Sequence, residues 1–134
     1  MLDEAALVTT IQDRCRPRSI VLFGSFATGR ATDASDVDIG LLGCNLDEID
    51  RLDLAEDLSN TLGRTIDLVA LDQASPILGM QVLRQGRVLA GRESRAWKTF
   101  QMRTPTAYAD LKRVRRPQEQ ALEEHIDARS RSSR

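Results

Sequence analysis

Aromatic residues are scarce in this chain of 134 residues. Three Phe, one Trp and one Tyr make up 4% of the sequence. Modules that bind single-stranded nucleic acid need several exposed rings on which bases can stack. The net charge of -1 also gives no overall positive field that would attract nucleic acid or an anionic membrane. We therefore expect no direct binding to nucleic acid.

Long apolar runs and cysteine are also rare. The longest apolar runs span about six residues, whereas a helix that crosses a bilayer needs about 20. The N-terminus has no basic segment and no long apolar run, so no signal peptide is expected. Two isolated cysteines, Cys15 and Cys44, suggest neither a disulfide framework nor a zinc site. These absences predict a cytoplasmic protein without a membrane segment.

The composition is that of one globular domain with an uneven distribution of charge. Apolar residues make up 41% and charged residues 29%, and a chain of this length buries a normal core. Residues 1–72 hold 14 acids and 6 bases, net -8, and residues 73–134 hold 6 acids and 13 bases, net +7. The acidic half could hold cations and the basic half could meet an anion or an acidic partner; the alternative is two solvated faces.

Short apolar runs alternate with stretches of helical spacing. Strands are predicted over residues 19–23, 37–42, 65–71 and 87–90. We expect Asn45 to cap the helix after the second strand. Its predicted buried stripe consists of Leu46, Ile49, Leu52, Ala55, Leu58 and Leu62. A last, basic helix is expected from Glu93, with a bend or break at Pro105. Strands that alternate with helices indicate the α/β class.

Two aspartates stand at the start of the second predicted strand. Asp36 and Asp38 are two residues apart, so their side chains point to the same face. Two like charges about 4 Å apart repel by roughly 1–4 kcal/mol, depending on the effective dielectric. A cation between them relieves this cost, and oxygen ligands suit Mg2+, which also binds substrate phosphates. The alternative is a solvated Asp-x-Asp at the end of a loop.

Two further features accompany this pair. Asp67 lies inside an otherwise apolar strand, where an acid is costly unless it is paired or bound to a metal; an edge-strand acid that faces water is the alternative. Gly24-Ser25 follows the first predicted strand and opens a short helix or turn. Glycine allows close approach of the backbone, and the hydroxyl and the helix start can donate to a phosphate. An ordinary turn is the alternative for this pair.

Taken together, these segments resemble the DNA polymerase β-type nucleotidyltransferase superfamily. The resemblance lies in residues 24–29 (GSFATG), 35–40 (SDVDIG) and 66–69 (IDLV), with ten residues between Ser25 and Asp36. Within the superfamily the chain is similar to the minimal nucleotidyltransferases, small antitoxins of the MntA type that pair with HEPN-domain toxins. The resemblance spans about residues 5–115. One departure is Ala70, which stands where the family usually has a second acid.

The resemblance implies a small mixed sheet of about four strands flanked by helices. It assigns residues 1–116 to a nucleotidyltransferase domain; we expect residues 117–134 to be a partly helical and then disordered extension. It also implies two Mg2+ ions, bridged by Asp36 and Asp38, with Asp67 completing the shell of one ion. Gly24 and Ser25 would hold the triphosphate of ATP, and Arg30 could add positive charge.

The function implied by the resemblance is a Mg2+-dependent protein adenylyltransferase. It would transfer AMP from ATP to a tyrosine hydroxyl of a cognate HEPN ribonuclease toxin and neutralise that toxin in a hetero-oligomer. Two alternatives remain open: an antitoxin that neutralises by masking alone, and a small-molecule nucleotidyltransferase. The chain is too short for the second domain that usually holds a small acceptor, which favours a macromolecule. Residues 92–116 are predicted to form much of the docking surface.

Overall fold

A computed structural model describes residues 2–32 and 34–113. The predictions for the extension 117–134, and for the end of the preceding domain at residue 116, lie outside this range. The helices are α1 (Glu4–Cys15), α2 (Ser25–Thr28), α3 (Glu48–Leu62), α4 (Pro76–Gln85) and α5, helical over 95–113. The strands are β1 (Ser19–Phe23), β2 (Val37–Leu42), β3 (Ile66–Ala70) and β4 (Arg87–Ala90). A short 3-10 turn, Leu71–Gln73, follows β3. Within the described ranges, every helix is too short or too polar to cross a membrane.

The four strands form one mixed sheet in the order β3-β2-β1-β4. Strand β1 is antiparallel to both β2 and β4, whereas β2 and β3 are parallel and joined through α3. Strands β3 and β4 therefore lie at the two edges. The predicted small mixed sheet with flanking helices is confirmed.

Two apolar clusters cover the two faces of this sheet. Helices α1 and α3 pack on one face, where Val37, Ile39 and Leu41 of β2 are buried. Helices α4 and α5 pack on the other face, where the buried Val82 and Trp97 meet Leu42. Because side chains alternate along a strand, the residue between Val37 and Ile39 points to the α4–α5 face. That residue is Asp38.

The start of α3 differs from the prediction. Asp47, and not Asn45, caps the helix: its carboxylate accepts a hydrogen bond of 2.8 Å from the backbone N–H of Asp50. Asn45 lies two residues before the cap, so its side chain cannot take the same role. Both residue types are good caps, and the sequence alone did not separate them. Gly63 ends the helix in a left-handed conformation, which glycine commonly adopts after a helix.

The predicted stripe of α3 is wrong at two positions. Leu54, Ala55 and Leu58 are buried, but Ile49 is 71% exposed and Leu52 60% exposed. The stripe was built largely on steps of three residues, and each such step falls about 60° short of a full turn at 3.6 residues per turn. Ile49 therefore lies about 120° around the helix from Ala55. Two large apolar side chains consequently point to solvent.

Helix α5 continues through Pro105, so of the predicted bend or break the break is absent. The helix begins two residues after Glu93, and the Ser94 hydroxyl caps it by accepting a 3.0 Å hydrogen bond from Trp97 N–H. Contacts on both sides of the proline hold the helix in place. Before it, Thr104 is buried against Gly79 of α4; after it, Tyr108 stacks under the Arg84 guanidinium. This packing offsets the hydrogen bond that proline cannot donate.

Candidate active site at the strand ends

The topology brings three distant segments to one end of the sheet. Because β1 and β2 are antiparallel, Phe23 at the end of β1 pairs with Asp38 near the start of β2. Because β2 and β3 are parallel, Asp38 also stands directly beside Asp67. The loop that begins at Gly24 therefore adjoins Asp38, and Asp67 adjoins it from the other side.

Gly24 makes the closest contact in this group. Its backbone has φ +74° and ψ -155°, a conformation that is essentially restricted to glycine. A Cβ atom at this position would lie 2.3 Å from Oδ2 of Asp38, which is far inside van der Waals contact. The backbone of the loop thus passes against the Asp38 carboxylate, and only glycine permits that passage. The sequence analysis predicted a close approach of this backbone to a ligand, which stays a prediction; the contact with the Asp38 carboxylate was not foreseen.

The three predicted acids share one electrostatic environment. Burial raises the pKa of the Asp38 carboxyl above its ordinary value of 3.8, and the charges of Asp67 and Asp36 raise it further. Asp36 and Asp67 are exposed, and Asp38 is half-buried. None of the three forms an ion pair within the described residues. The cluster therefore carries repulsion that a cation would relieve.

The carboxylate oxygens of the three acids suit a hard cation, although the side chains are not arranged as a coordination shell. Over residues 2–32 and 34–113, no three His, Cys, Asp or Glu side chains are arranged to hold a metal ion. Asp36, Asp38 and Asp67 nevertheless supply oxygen ligands alone, which suits Mg2+ and leaves room for substrate phosphates. The mutual repulsion at Asp38 indicates the same chemistry. Binding of a cation would thus require side-chain rotations at this end of the sheet.

Ser25 and Arg30 occupy the two ends of the loop beyond Gly24. Ser25 is the first residue of α2, and its carbonyl accepts a 3.0 Å hydrogen bond from the backbone N–H of Arg30. With only four residues, α2 contributes little macrodipole, so phosphate contacts would depend on the loop N–H groups and the hydroxyl. The Arg30 side chain is exposed. Its proposed contribution of charge stays a prediction.

Arg64 lies beside the loop of Gly24, and the sequence analysis missed it. It lies between the cap of α3 and the start of β3, and its guanidinium sits 4.9 Å from the ring centroid of Phe26 in α2. Its Nη1 atom is buried and makes no hydrogen bond in the described part of the chain. This cation–π contact ties the loop of Gly24 to the strand of Asp67. A single arginine before a strand gives no spacing signal that would have found it.

A second feature beside Asp67 was also not predicted. A hollow of about 470 Å3 lies along the outer edge of β3. It is lined by Asp67 and Val69 of β3, by Leu52 of α3 and by Leu78 of α4, among others. The acid at the start of β3 thus faces a space that is open to a second molecule.

Comparison with known proteins gives matches over most of the chain. The model of the polymerase beta nucleotidyltransferase domain matches residues 6–95. The protein adenylyltransferase MntA of Shewanella oneidensis is 34% identical over 116 residues, which cover 85% of this chain and 83% of that protein. The resemblance inferred from the sequence is therefore confirmed.

Solved structures agree with this result. One similar chain occurs in the crystal structure of a toxin–antitoxin with AMP-PNP; it is 33% identical, with a TM-score of 0.81 and coverage of 93% of this chain and 98% of that one. Another occurs in the complex of a tri-AMPylated Shewanella oneidensis HEPN toxin with MNT antitoxin. It is 31% identical, with a TM-score of 0.74 and coverage of 92% and 94%.

Proposed function

The chain belongs to the polymerase beta nucleotidyltransferase family, and from this premise we propose that it is an antitoxin that transfers AMP from ATP to a partner protein. The proposed acceptor is a tyrosine hydroxyl of a cognate HEPN ribonuclease toxin, which the transfer neutralises. The observation that carries the proposal is the 34% identity to a protein adenylyltransferase over most of both chains. The similar structures with AMP-PNP and with a tri-AMPylated HEPN toxin support the donor and the kind of acceptor.

We assign the metal and catalytic roles to Asp36, Asp38 and Asp67. Asp36 and Asp38 would contact two Mg2+ ions, and Asp67 would complete the shell of one. The pairing of Asp38 with Asp67 and the repulsion at Asp38 support this assignment. Bound there, Mg2+ supplies charge neutralisation at the phosphates and a lowered pKa for the acceptor hydroxyl.

The remaining steps depend on residues of the chain itself. Gly24 and Ser25 hold the triphosphate through backbone N–H groups and the hydroxyl, with Arg30 contributing positive charge. The acceptor oxygen attacks the α-phosphorus in line, so one P–O bond forms as the bond to pyrophosphate breaks. Asp67 accepts the hydroxyl proton, since it is exposed and lies in the edge strand β3. Positioning and charge account for most of the catalysis.

The domain bounds, the cellular compartment and the assembly are proposed on the basis of the same reaction. Residues 1–116 would form the nucleotidyltransferase domain, of which the family model matches residues 6–95. ATP and a ribonuclease toxin both occur in the cytoplasm, which we propose as the site of action. The protein would act there in a hetero-oligomer with the toxin.

Intact mass spectrometry of the cognate toxin tests the function. After incubation with this protein, ATP and Mg2+, the toxin should gain the mass of one or more AMP units. A stable complex without any gain in toxin mass would instead identify an antitoxin that acts by masking.

The matched control is the variant with Asp36→Asn and Asp38→Asn. It should still bind the toxin but leave its mass unchanged. An AMP gain at the rate of the unaltered protein would show that the acids are not the catalytic group.

A further inference from the structure

The exposed side of α3 carries two large apolar side chains that lie mostly in solvent. Ile49 and Leu52 are three residues apart, so they are neighbours on one turn of the helix, and both are mostly exposed. Neither belongs to the apolar clusters of the core. We call these two residues the α3 patch. Exposed apolar side chains that adjoin one another mark contact surfaces more often than isolated ones do.

The α3 patch is continuous with the candidate active site. Leu52 lines the hollow of about 470 Å3 beside β3, and Asp67 lines the same hollow. The other walls include the apolar Val69 and Leu78 and the polar Arg51 and Gln73, so the lining is mixed, with Asp67 among its charged groups. The volume is in the range of ligand pockets. A side chain that enters from the α3 patch therefore comes to Asp67.

The order of the strands indicates on which side of the acids the hollow lies. Gly24 follows β1, Asp38 lies in β2 and Asp67 lies in β3, and β2 separates the other two strands in the sheet. ATP held at Gly24 would thus occupy the β1 side of the acids. The β3 side is left for the group that receives AMP.

The charges on α3 indicate which kind of molecule binds at the α3 patch. Helix α3 carries five acids and one arginine over its 15 residues. Within the described part of the chain, only Asp57 of these acids forms an ion pair, with Arg14. The exposed face around the α3 patch therefore favours a partner with lysine and arginine around an apolar side chain.

We propose that the α3 patch and the hollow beside β3 are the docking surface for the protein that accepts AMP. The partner has a basic surface with an apolar anchor, and its hydroxyl-bearing segment enters the hollow toward Asp67. This inference rests on the proposed function, because it assumes a protein acceptor. It differs from the sequence-based prediction, which assigned much of the docking to the basic residues 92–116.

The test compares two exposed apolar sites on the two candidate surfaces. The patch variant combines Ile49→Gln with Leu52→Gln, and the matched control is Met102→Gln on α5, where Met102 is 76% exposed. Glutamine is a good helix former, so these exposed substitutions should leave the fold intact. Melting temperature and binding of AMP-PNP confirm this for each variant.

Affinity for the cognate toxin and the kinetics of AMP transfer are then measured. For the patch variant we expect Kd and KM for the toxin to rise roughly 10- to 100-fold, as for loss of central apolar anchors, while KM for ATP is unchanged. Met102→Gln should match the unaltered protein. Asp50→Asn with Asp53→Asn should slow association and flatten its salt dependence, because surface charge acts mainly on that rate.

Other outcomes would overturn the inference in distinct ways. Unchanged Kd for the patch variant with weakened binding for Met102→Gln would assign docking to α5. Unchanged Kd together with a change of oligomeric state on gel filtration would show that a second copy of the chain covers the patch. If the unaltered protein binds the toxin but transfers no AMP, the proposed function fails, while the Kd values still decide whether the patch binds the toxin.

Discussion

Substitution of Gly24 by alanine tests whether the position of the Asp38 carboxylate controls the chemistry. The added Cβ would lie 2.3 Å from Oδ2 of Asp38, whereas a carbon–oxygen contact normally measures about 3.3 Å. The carboxylate must therefore move by about 1 Å, and a displacement of that size costs on the order of 100-fold in rate. We expect the rate of AMP transfer to fall by that factor.

The stability of the Gly24→Ala variant separates two free-energy costs, that of the strained backbone at position 24 and that of displacing the Asp38 side chain. Placing alanine at φ +74° and ψ -155° costs about 1–3 kcal/mol, and forcing Asp38 off its preferred rotamer adds about 0.5–1.5 kcal/mol. In an Asp38→Ala background the second cost disappears. A double-mutant cycle measured by urea unfolding should therefore give a coupling free energy of about 0.5–1.5 kcal/mol.

Gly63→Ala is the matched control. Gly63 also has a positive φ, +69°, but nothing lies within 4 Å of the added Cβ. It should lose about 1–2 kcal/mol of stability and keep the rate of AMP transfer. If Gly24→Ala transfers AMP as fast as Gly63→Ala, the contact with Asp38 is irrelevant to the reaction and the reasoning fails.

Three further predictions concern the acids. Asp36→Asn with Asp38→Asn should abolish AMP transfer without lowering the melting temperature of the protein free of ligand, because like charges are removed; a clear loss of stability would contradict this. Mg2+ with ATP should raise the melting temperature more than ATP with EDTA, and equal shifts would argue against a metal site. Since the pKa of Asp38 is raised in the folded state, its charge destabilises the fold at neutral pH. The unfolding free energy of the unaltered protein should therefore rise relative to Asp38→Asn as the pH falls through that raised pKa toward 3.8; a constant difference in urea titrations would refute it.

The cluster of acids at this end of the sheet could be predicted in part because its signals are local. Asp38 lies in β2 and Asp36 one residue before it, and a spacing of two residues favours a shared face wherever the chain is extended. Asp67 stands out because the rest of its strand is apolar. The identity of their neighbours depends on register: Gly24 meets Asp38 only because β1 and β2 pair as they do, and no local pattern contains that pairing.

The errors of the sequence analysis have different physical origins. Steps of three residues drift around a helix, so Ile49 was assigned to the core although it is 71% exposed. Asp47 and Asn45 are both good caps, and the choice depends on where α3 meets the sheet. At Pro105 the expectation that proline interrupts a helix failed, because Thr104 packs on α4. Tertiary packing therefore outweighed a local preference at Pro105, whereas the stripe of α3 failed on helix geometry alone.

The parallel register of β2 and β3 has a consequence for how the site is maintained. Pairing Asp38 with Asp67 aligns two like charges, so electrostatics alone would favour sliding the strands apart. The buried Ile66 and Leu68 oppose this, because a shift by one residue would turn both toward the wrong face. The alignment of the two acids is thus secured by two aliphatic side chains of the core. Replacing Ile66 or Leu68 by a smaller residue would loosen the spacing of the acids before it unfolded the chain. Variation at these apolar positions is therefore a route by which such an enzyme can lose activity while every charged residue remains in place.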